Sequence, residues 1–173
     1  MAEVAGMDQE QFVSRFGMIY EHSPWVAEAA FSQLSRAPGD PGLNEIAAAM
    51  RHAMRSSSRD AQRKLICAHP DLAGRLAMAQ RLTQDSTNEQ ASAGLDQLTA
   101  EEHQQFCELN SAYRDKFGFP FIMAVAGRNK EQILAAFADR LENSVEEEFE
   151  WALDEIDRIA RMRMEKNWSE LSR

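Results

Sequence analysis

Long apolar runs are missing from this chain, and nothing in it approaches the roughly 20 consecutive apolar residues that a membrane-crossing helix needs. Positive charge is in short supply as well. Nineteen lysines and arginines stand against 28 aspartates and glutamates, a formal charge of −9, which argues against nucleic acid or an anionic membrane as the main partner. An anionic small molecule would need a local cationic site. Cysteine is scarce: Cys67 and Cys107 form no CxxC pair and no secretory leader precedes them, so they read as reduced thiols and the expected location is the cytoplasm. The ending Leu171-Ser172-Arg173 does not match the Ser-Lys-Leu peroxisomal address. His22, His52 and His103 show neither HxxxH nor HExxH spacing, which leaves no metal motif. GxSxG, P-loop and GxGxxG patterns are absent too, so serine-hydrolase and nucleotide chemistry have no anchor.

What is present is helical periodicity. With 173 residues, 44% of them hydrophobic and 27% charged, the chain is long enough for one soluble domain with a core that needs neither disulfides nor metals. Phe12, Phe16, Ile19 and Tyr20 predict a first helix over 8–21, and Ser23-Pro24 reads as the capped start of a second that carries Trp25, Val26, Ala29, Ala30 and Leu34. The only Pro/Gly-dense stretch, 37–42, is a loop too short to tether domains. Ile46 to Met54 mark a third helix and Asp60 to Ala68 a fourth, with a weakly regular stretch expected over 75–85. Ser86 and Glu89, Thr99 and Glu102, and Ser144 and Glu147 all fit the capping-box pattern. The helix after Thr99 closes at Gly118, another holds Ile133, Leu134, Phe137 and Leu141, and the last covers roughly 145–167. Residues 117–125 carry no charge and, with no second strand to pair with, read as a buried turn leading into a short helix. The expected fold is all-α, a single-domain bundle of roughly eight helices over 8–164, between a flexible tail at 1–7 and a second tail at 165–173.

Candidate chemistry collects at a few positions. His69 ends an apolar run and is followed by Pro70, which disfavours helix at the residue before it. The imidazole therefore stands at a helix terminus, where it can exchange protons near neutral pH, although a His-Pro after an apolar run is also an ordinary helix end. In the last helix the apolar face Phe149, Ala152, Leu153, Ile156, Ile159, Ala160 is continued by Arg163. Arg163 either snorkels past the helix end or points inward, where its planar fork would suit a carboxylate. Ser86 and Glu89 are explained by capping alone, yet a helix N-terminus also receives anions. Residues 117–125 serve as core or as an apolar pocket wall.

Taken together these stretches resemble one family. Glu21-His22-Ser23-Pro24-Trp25-Val26, His69-Pro70-Asp71-Leu72-Ala73-Gly74, Ser86-Thr87-Asn88-Glu89-Gln90, Leu109-Asn110, Tyr113, Lys116-Phe117-Gly118-Phe119-Pro120-Phe121-Ile122 and Arg140-Leu141, in that order, are similar to the OHCU decarboxylases, where OHCU is 2-oxo-4-hydroxy-4-carboxy-5-ureidoimidazoline. The resemblance covers about residues 12–164. It implies an all-helical homodimer that catalyses the third step from urate to allantoin without a metal or organic cofactor. Carried over by position, it implies that His69 and Glu89 are catalytic and that Pro70, Ser86, Gln90, Phe119, Phe121, Ile122 and Arg163 bind substrate. Arg163 has Arg158 and Arg161 as neighbours, separated from it only by helical phase.

The residue types suit that chemistry. In OHCU the carbon that loses carboxylate also bears a hydroxyl, and its ring neighbour is part of a C=N group. The electron pair released with carbon dioxide flows into that C=N, so the substrate is its own electron sink and needs no pyridoxal or thiamine. The implied roles are proton transfer for His69 and, for Glu89 and Ser86, holding the ureido group and ring amides by hydrogen bonds, with the Glu89 carboxylate accepting from their N–H groups. Arg163 would take an anionic or carbonyl edge, and an apolar wall would disfavour the charged carboxylate.

Overall fold

A computed structural model describes residues 4–73 and 84–171. Among these residues, a 3-10 turn at Val4–Gly6 is followed by eight α-helices: α1 (Gln9–Phe16), α2 (Trp25–Leu34), α3 (Leu43–Arg55), α4 (Arg59–Ala68), α5 (Gln84–Ser92), α6 (Ala100–Phe117), α7 (Lys130–Leu141) and α8 (Val145–Leu171). No strand occurs among the described residues, as the absence of any alternating apolar pattern predicts. No helix among them is long and apolar enough to cross a membrane. The expected irregular stretch over 75–85 lies outside the described residues up to 83, and α5 has begun at Gln84.

Contacts gather into two compact units. One holds residues up to Ala68 together with Asp157 onward; the other is His69–Ile156. In the first unit α1 and α3 both pack on α2. Phe12 lies between Phe16 and Phe31, with ring centroids 4.6 and 5.5 Å away. Val26, Ala27, Ala30, Ile46, Met50, Met54, Leu65 and Ile66 complete a fully buried interior. Half-buried Asp157, from α8, accepts a hydrogen bond from the Tyr20 hydroxyl at 2.9 Å and pairs with Arg51 and Arg55. Burial pushes its carboxyl above the usual range despite these partners.

The first helix ends earlier than its periodicity predicts. Gly17 is its C-cap, and a Cβ there would meet the Val13 carbonyl at 2.5 Å. Ile19 and Tyr20 are still buried, but from the turn that follows and not from helix. The second helix also differs at its start: Pro24 is its N-cap and no side chain caps it, so the Ser23 hydroxyl does not serve there. The stretch read as a C-terminal tail is helical as far as Leu171, and Val4, in the stretch read as an N-terminal tail, is buried.

The second unit is built around Tyr113. Its ring meets Phe117, Phe119, Phe121 and Phe137 at centroid distances of 4.6, 6.0, 5.2 and 6.1 Å, geometry in which edge-to-face contacts add to simple burial. α6 and α7 pack together, and both begin with formed capping boxes, Thr99 with Glu102 and Asn129 with Gln132. Ser144 and Glu147 exchange the same bonds ahead of α8. Gly118 closes α6 in the left-handed region at φ 73°, where a Cβ is disfavoured. Gly118→Ala is therefore expected to cost about 1 kcal/mol, read as a lowered urea midpoint with an unchanged m-value. From Pro120 to Val125 the chain is buried and irregular, and the next helix is α7 at Lys130, so the short helix expected directly after Val125 is not formed. One backbone amide of that segment is met by a side chain instead: buried Glu155 accepts from the Ala124 amide at 2.7 Å.

Candidate active site

His69 is the first residue after α4 and only 7% exposed. Proline at the next position keeps it out of helical geometry, and the turn it opens is held by side chains from α5 and α6. Arg114 donates from Nε to Asp71 at 2.9 Å, Asn110 donates from Nδ2 to the Leu72 carbonyl at 2.8 Å, and the Ala73 amide donates to Gln90 Oε1 at 3.1 Å. Ala73 itself sits at φ +52°, a conformation that L-residues seldom adopt. Three consecutive residues after Pro70 are thus each tied to a separate side chain.

Ser86, Glu89 and Gln90 lie on α5, and their spacing places them along one face of that helix. The expected Ser86–Glu89 capping box is not the arrangement observed. α5 is already helical at Gln84, so Ser86 occupies an interior position, and it is buried at 5% exposure. The Ser-x-x-Glu spacing matches a capping box, but the same spacing inside a helix simply aligns two polar side chains. The Gln90 to Ala73 bond ties this polar face to the turn that carries His69.

Phe119 and Phe121 are fully buried, with their rings in the aromatic cluster. Phe121 stacks on Phe137 at 3.7 Å and Phe119 meets Phe149 edge-on at 5.9 Å. Ile122 is buried beside them, and its carbonyl accepts from Arg140 Nη1 at 2.6 Å. Arg140 and Glu148 form a buried ion pair that composition and spacing did not single out. Glu148, fully buried, takes Arg140 and the Tyr113 hydroxyl on Oε1 and the Asn143 amide on Oε2. Arg140 also lies over the Phe121 ring at 4.4 Å. Burial pushes the Tyr113 phenol above its ordinary value, in keeping with its hydroxyl donating to Glu148.

Arg163 belongs to the first unit. It points inward, 3% exposed, and donates from Nη1 to the fully buried Glu21 at 2.8 Å and to the Ile19 carbonyl at 3.4 Å. Arg158 is exposed and Arg161 reaches Asn44 and Glu165, so helical phase separates the three as expected. Glu21, whose only sequence signal is the EHSPW motif, sits in a turn where His22 takes φ +46°, leaving His22 exposed between two buried neighbours. Among the described residues no group of three or more His, Cys, Asp or Glu is placed to hold a metal ion.

Residues 5–165 match the family model described as OHCU decarboxylase. A 2-oxo-4-hydroxy-4-carboxy-5-ureidoimidazoline decarboxylase of Haloferax volcanii is 43% identical over 169 residues, covering 98% of this chain and 96% of that protein. Among solved structures, an (S)-allantoin synthase matches with a TM-score of 0.72 at 35% identity; the match covers 94% of this chain and 51% of the other, about half its length. An OHCU decarboxylase crystallised in the presence of (S)-allantoin matches with a TM-score of 0.68 at 25% identity, over 95% of this chain and 100% of that one.

Proposed function

Because this chain belongs to the OHCU decarboxylase family and converts OHCU to allantoin with loss of carbon dioxide, we propose that His69 moves the proton in that reaction. The observation that supports this most is the fixed place of His69: a buried imidazole on a turn whose next three residues after Pro70 are each held by a side chain, with a polar face of α5 tied to the same turn. Proton transfer is efficient when the base is held where the proton leaves, and imidazole is the side chain whose ordinary pKa lies nearest neutrality.

As the carbon–carbon bond to carboxylate breaks, its electron pair forms a double bond to the neighbouring ring carbon, and the C=N pair moves onto nitrogen, which takes a proton from the medium. His69 then accepts the hydroxyl proton as that carbon becomes the carbonyl of allantoin, and the adjacent carbon takes up a proton on one face to give the (S) product. Glu89 acts with His69 in this transfer and, with Ser86 and Gln90, holds the ureido group and ring amides. Pro70 and Ile122 supply apolar wall, backed by the packed rings of Phe119 and Phe121. A cytoplasmic homodimer, acting as the third step from urate to allantoin, is the setting we assign to it; light scattering checks the dimer.

The experiment that tests this reading follows carbon dioxide released from freshly generated OHCU. Glu89→Ala is expected to lower kcat/KM about 10- to 100-fold, the worth of hydrogen bonds to a charged group. Wild-type kcat/KM in Glu89→Ala would remove Glu89 from the site, and no release above the uncatalysed rate by the intact protein would remove the reading as a whole.

A further inference from the structure

We propose that Asn110 is a positioning residue for the decarboxylation, holding the Leu72 carbonyl so that the turn bearing His69 keeps one conformation. The proposal rests on the reading of His69 as the proton-transfer group. Asn110 lies in the middle of α6, 6% exposed, surrounded along its own helix by Phe106, Tyr113 and Phe117, all core residues. A leucine would satisfy such a position by packing alone. The amide is present instead, and its two halves are treated differently. Nδ2 donates to Leu72 at 2.8 Å, while Oδ1 meets no hydrogen-bond donor among the described residues. An amide kept in a buried place with its acceptor unmatched by the protein is there for its donor.

What that donor holds is the chain three residues beyond His69. One helical turn further along α6, Arg114 fixes Asp71 through Nε and Nη2, at 2.9 and 2.8 Å. Asn110 and Arg114 are four residues apart and so share one face of α6, which meets the turn at two successive residues. Gln90 takes the following amide, at Ala73, from the α5 side. The turn needs such anchoring because Ala73 is held at φ +52°, a conformation that persists only where its surroundings over-determine it. Without the Leu72 anchor the turn is free to relax Ala73 toward ordinary backbone values. His69, in the same short segment, then loses its fixed distance to the proton it must accept. Misplacement of a reacting group by about 1 Å is enough to cost on the order of 100-fold in rate.

The test compares wild type, Asn110→Leu, Arg114→Ala and His69→Ala on freshly generated OHCU, measuring kcat, KM and the optical purity of the allantoin formed. Asn110→Leu keeps the side-chain volume and removes the donor. Its kcat is expected to fall about 10- to 100-fold with KM little changed, and the product is expected to lose optical purity. A role confined to folding would lower the melting temperature and leave the kcat and optical purity of the folded enzyme where they were. Wild-type kcat and optical purity in folded Asn110→Leu, with His69→Ala inactive, would overturn the proposal and leave the role of His69 standing. Full activity in His69→Ala would instead overturn the reading beneath it. Should Asn110→Leu fail to fold, Arg114→Ala decides, because Arg114 is exposed and its loss leaves the core untouched: a lowered kcat at unchanged KM supports the anchored turn, and an unchanged kcat refutes it.

Discussion

His69→Ala is expected to lose kcat by about 10²- to 10⁴-fold, the usual contribution of a positioned acid–base group, with the far-UV spectrum of an intact helical fold. His69→Asn should lose as much, because asparagine can still hydrogen-bond but cannot carry the proton. The fold is expected to tolerate both changes for a structural reason: the turn around His69 is held by Asp71, Leu72 and Ala73, through Arg114, Asn110 and Gln90, and not by packing beneath the imidazole alone. Carbon dioxide release above the uncatalysed rate is the quantity to follow, since OHCU carries its own electron sink. A His69→Asn enzyme retaining most of its kcat would assign the proton transfer to another group.

The second large effect concerns stability. Glu148→Leu is expected to destabilise the protein by about 3–5 kcal/mol, because Arg140 would be left buried without a counter-charge. Arg140→Met should cost a similar amount by stranding the Glu148 carboxylate, which is fully buried. Either loss is a large part of the about 5–15 kcal/mol that typically separates folded from unfolded states. The double variant, Arg140→Met with Glu148→Leu, should recover much of it, since a matched apolar pair removes both desolvated charges together. Arg140 does a second thing that the double variant cannot restore, holding the Ile122 carbonyl. A residual loss in the double variant is therefore expected in the urea midpoint, because the Ile122 carbonyl and the Tyr113 hydroxyl are left buried without these partners. Urea denaturation of the two single variants and the double variant measures the coupling; single variants as stable as wild type would mean that the pair contributes nothing to the second unit.

Local rules read the helices well. Thr99 with Glu102 and Ser144 with Glu147 cap as their spacing predicts, and Gly118 ends α6 in the conformation that glycine permits. They misread Ser86 and Glu89 because a three-residue spacing of hydroxyl and carboxylate has two meanings, a helix start or one face of a helix already running, and only the position of Gln84 within α5 separates them. Phe12 to Tyr20 misled in a different way: burial continued past Gly17 although the helix did not. Phase along α8 picked out Arg163 from Arg158 and Arg161, but its partner Glu21 lies far away in the chain, and no local pattern pairs them. The same holds for Arg140 and Glu148, which lie on successive helices joined through Asn143 and Ser144. Asn110 and Arg114 read as one face of a helix only, and their use became legible once the turn at Leu72 was placed against them. Propensity and periodicity act within a few residues, whereas buried charge and turn anchoring are settled by what the fold brings close.

Circular dichroism of a urate mixture turned over by urate oxidase and hydroxyisourate hydrolase, with no further addition, with this protein, and with its His69→Ala variant, tests the central claim most directly. The expected result is rapid growth of an optically active (S)-allantoin signal with the intact protein and only slow, racemic decay with the variant. Equal slow decay in all three samples would contradict the catalytic reading of the chain, and equal rapid growth with both proteins would contradict the role of His69.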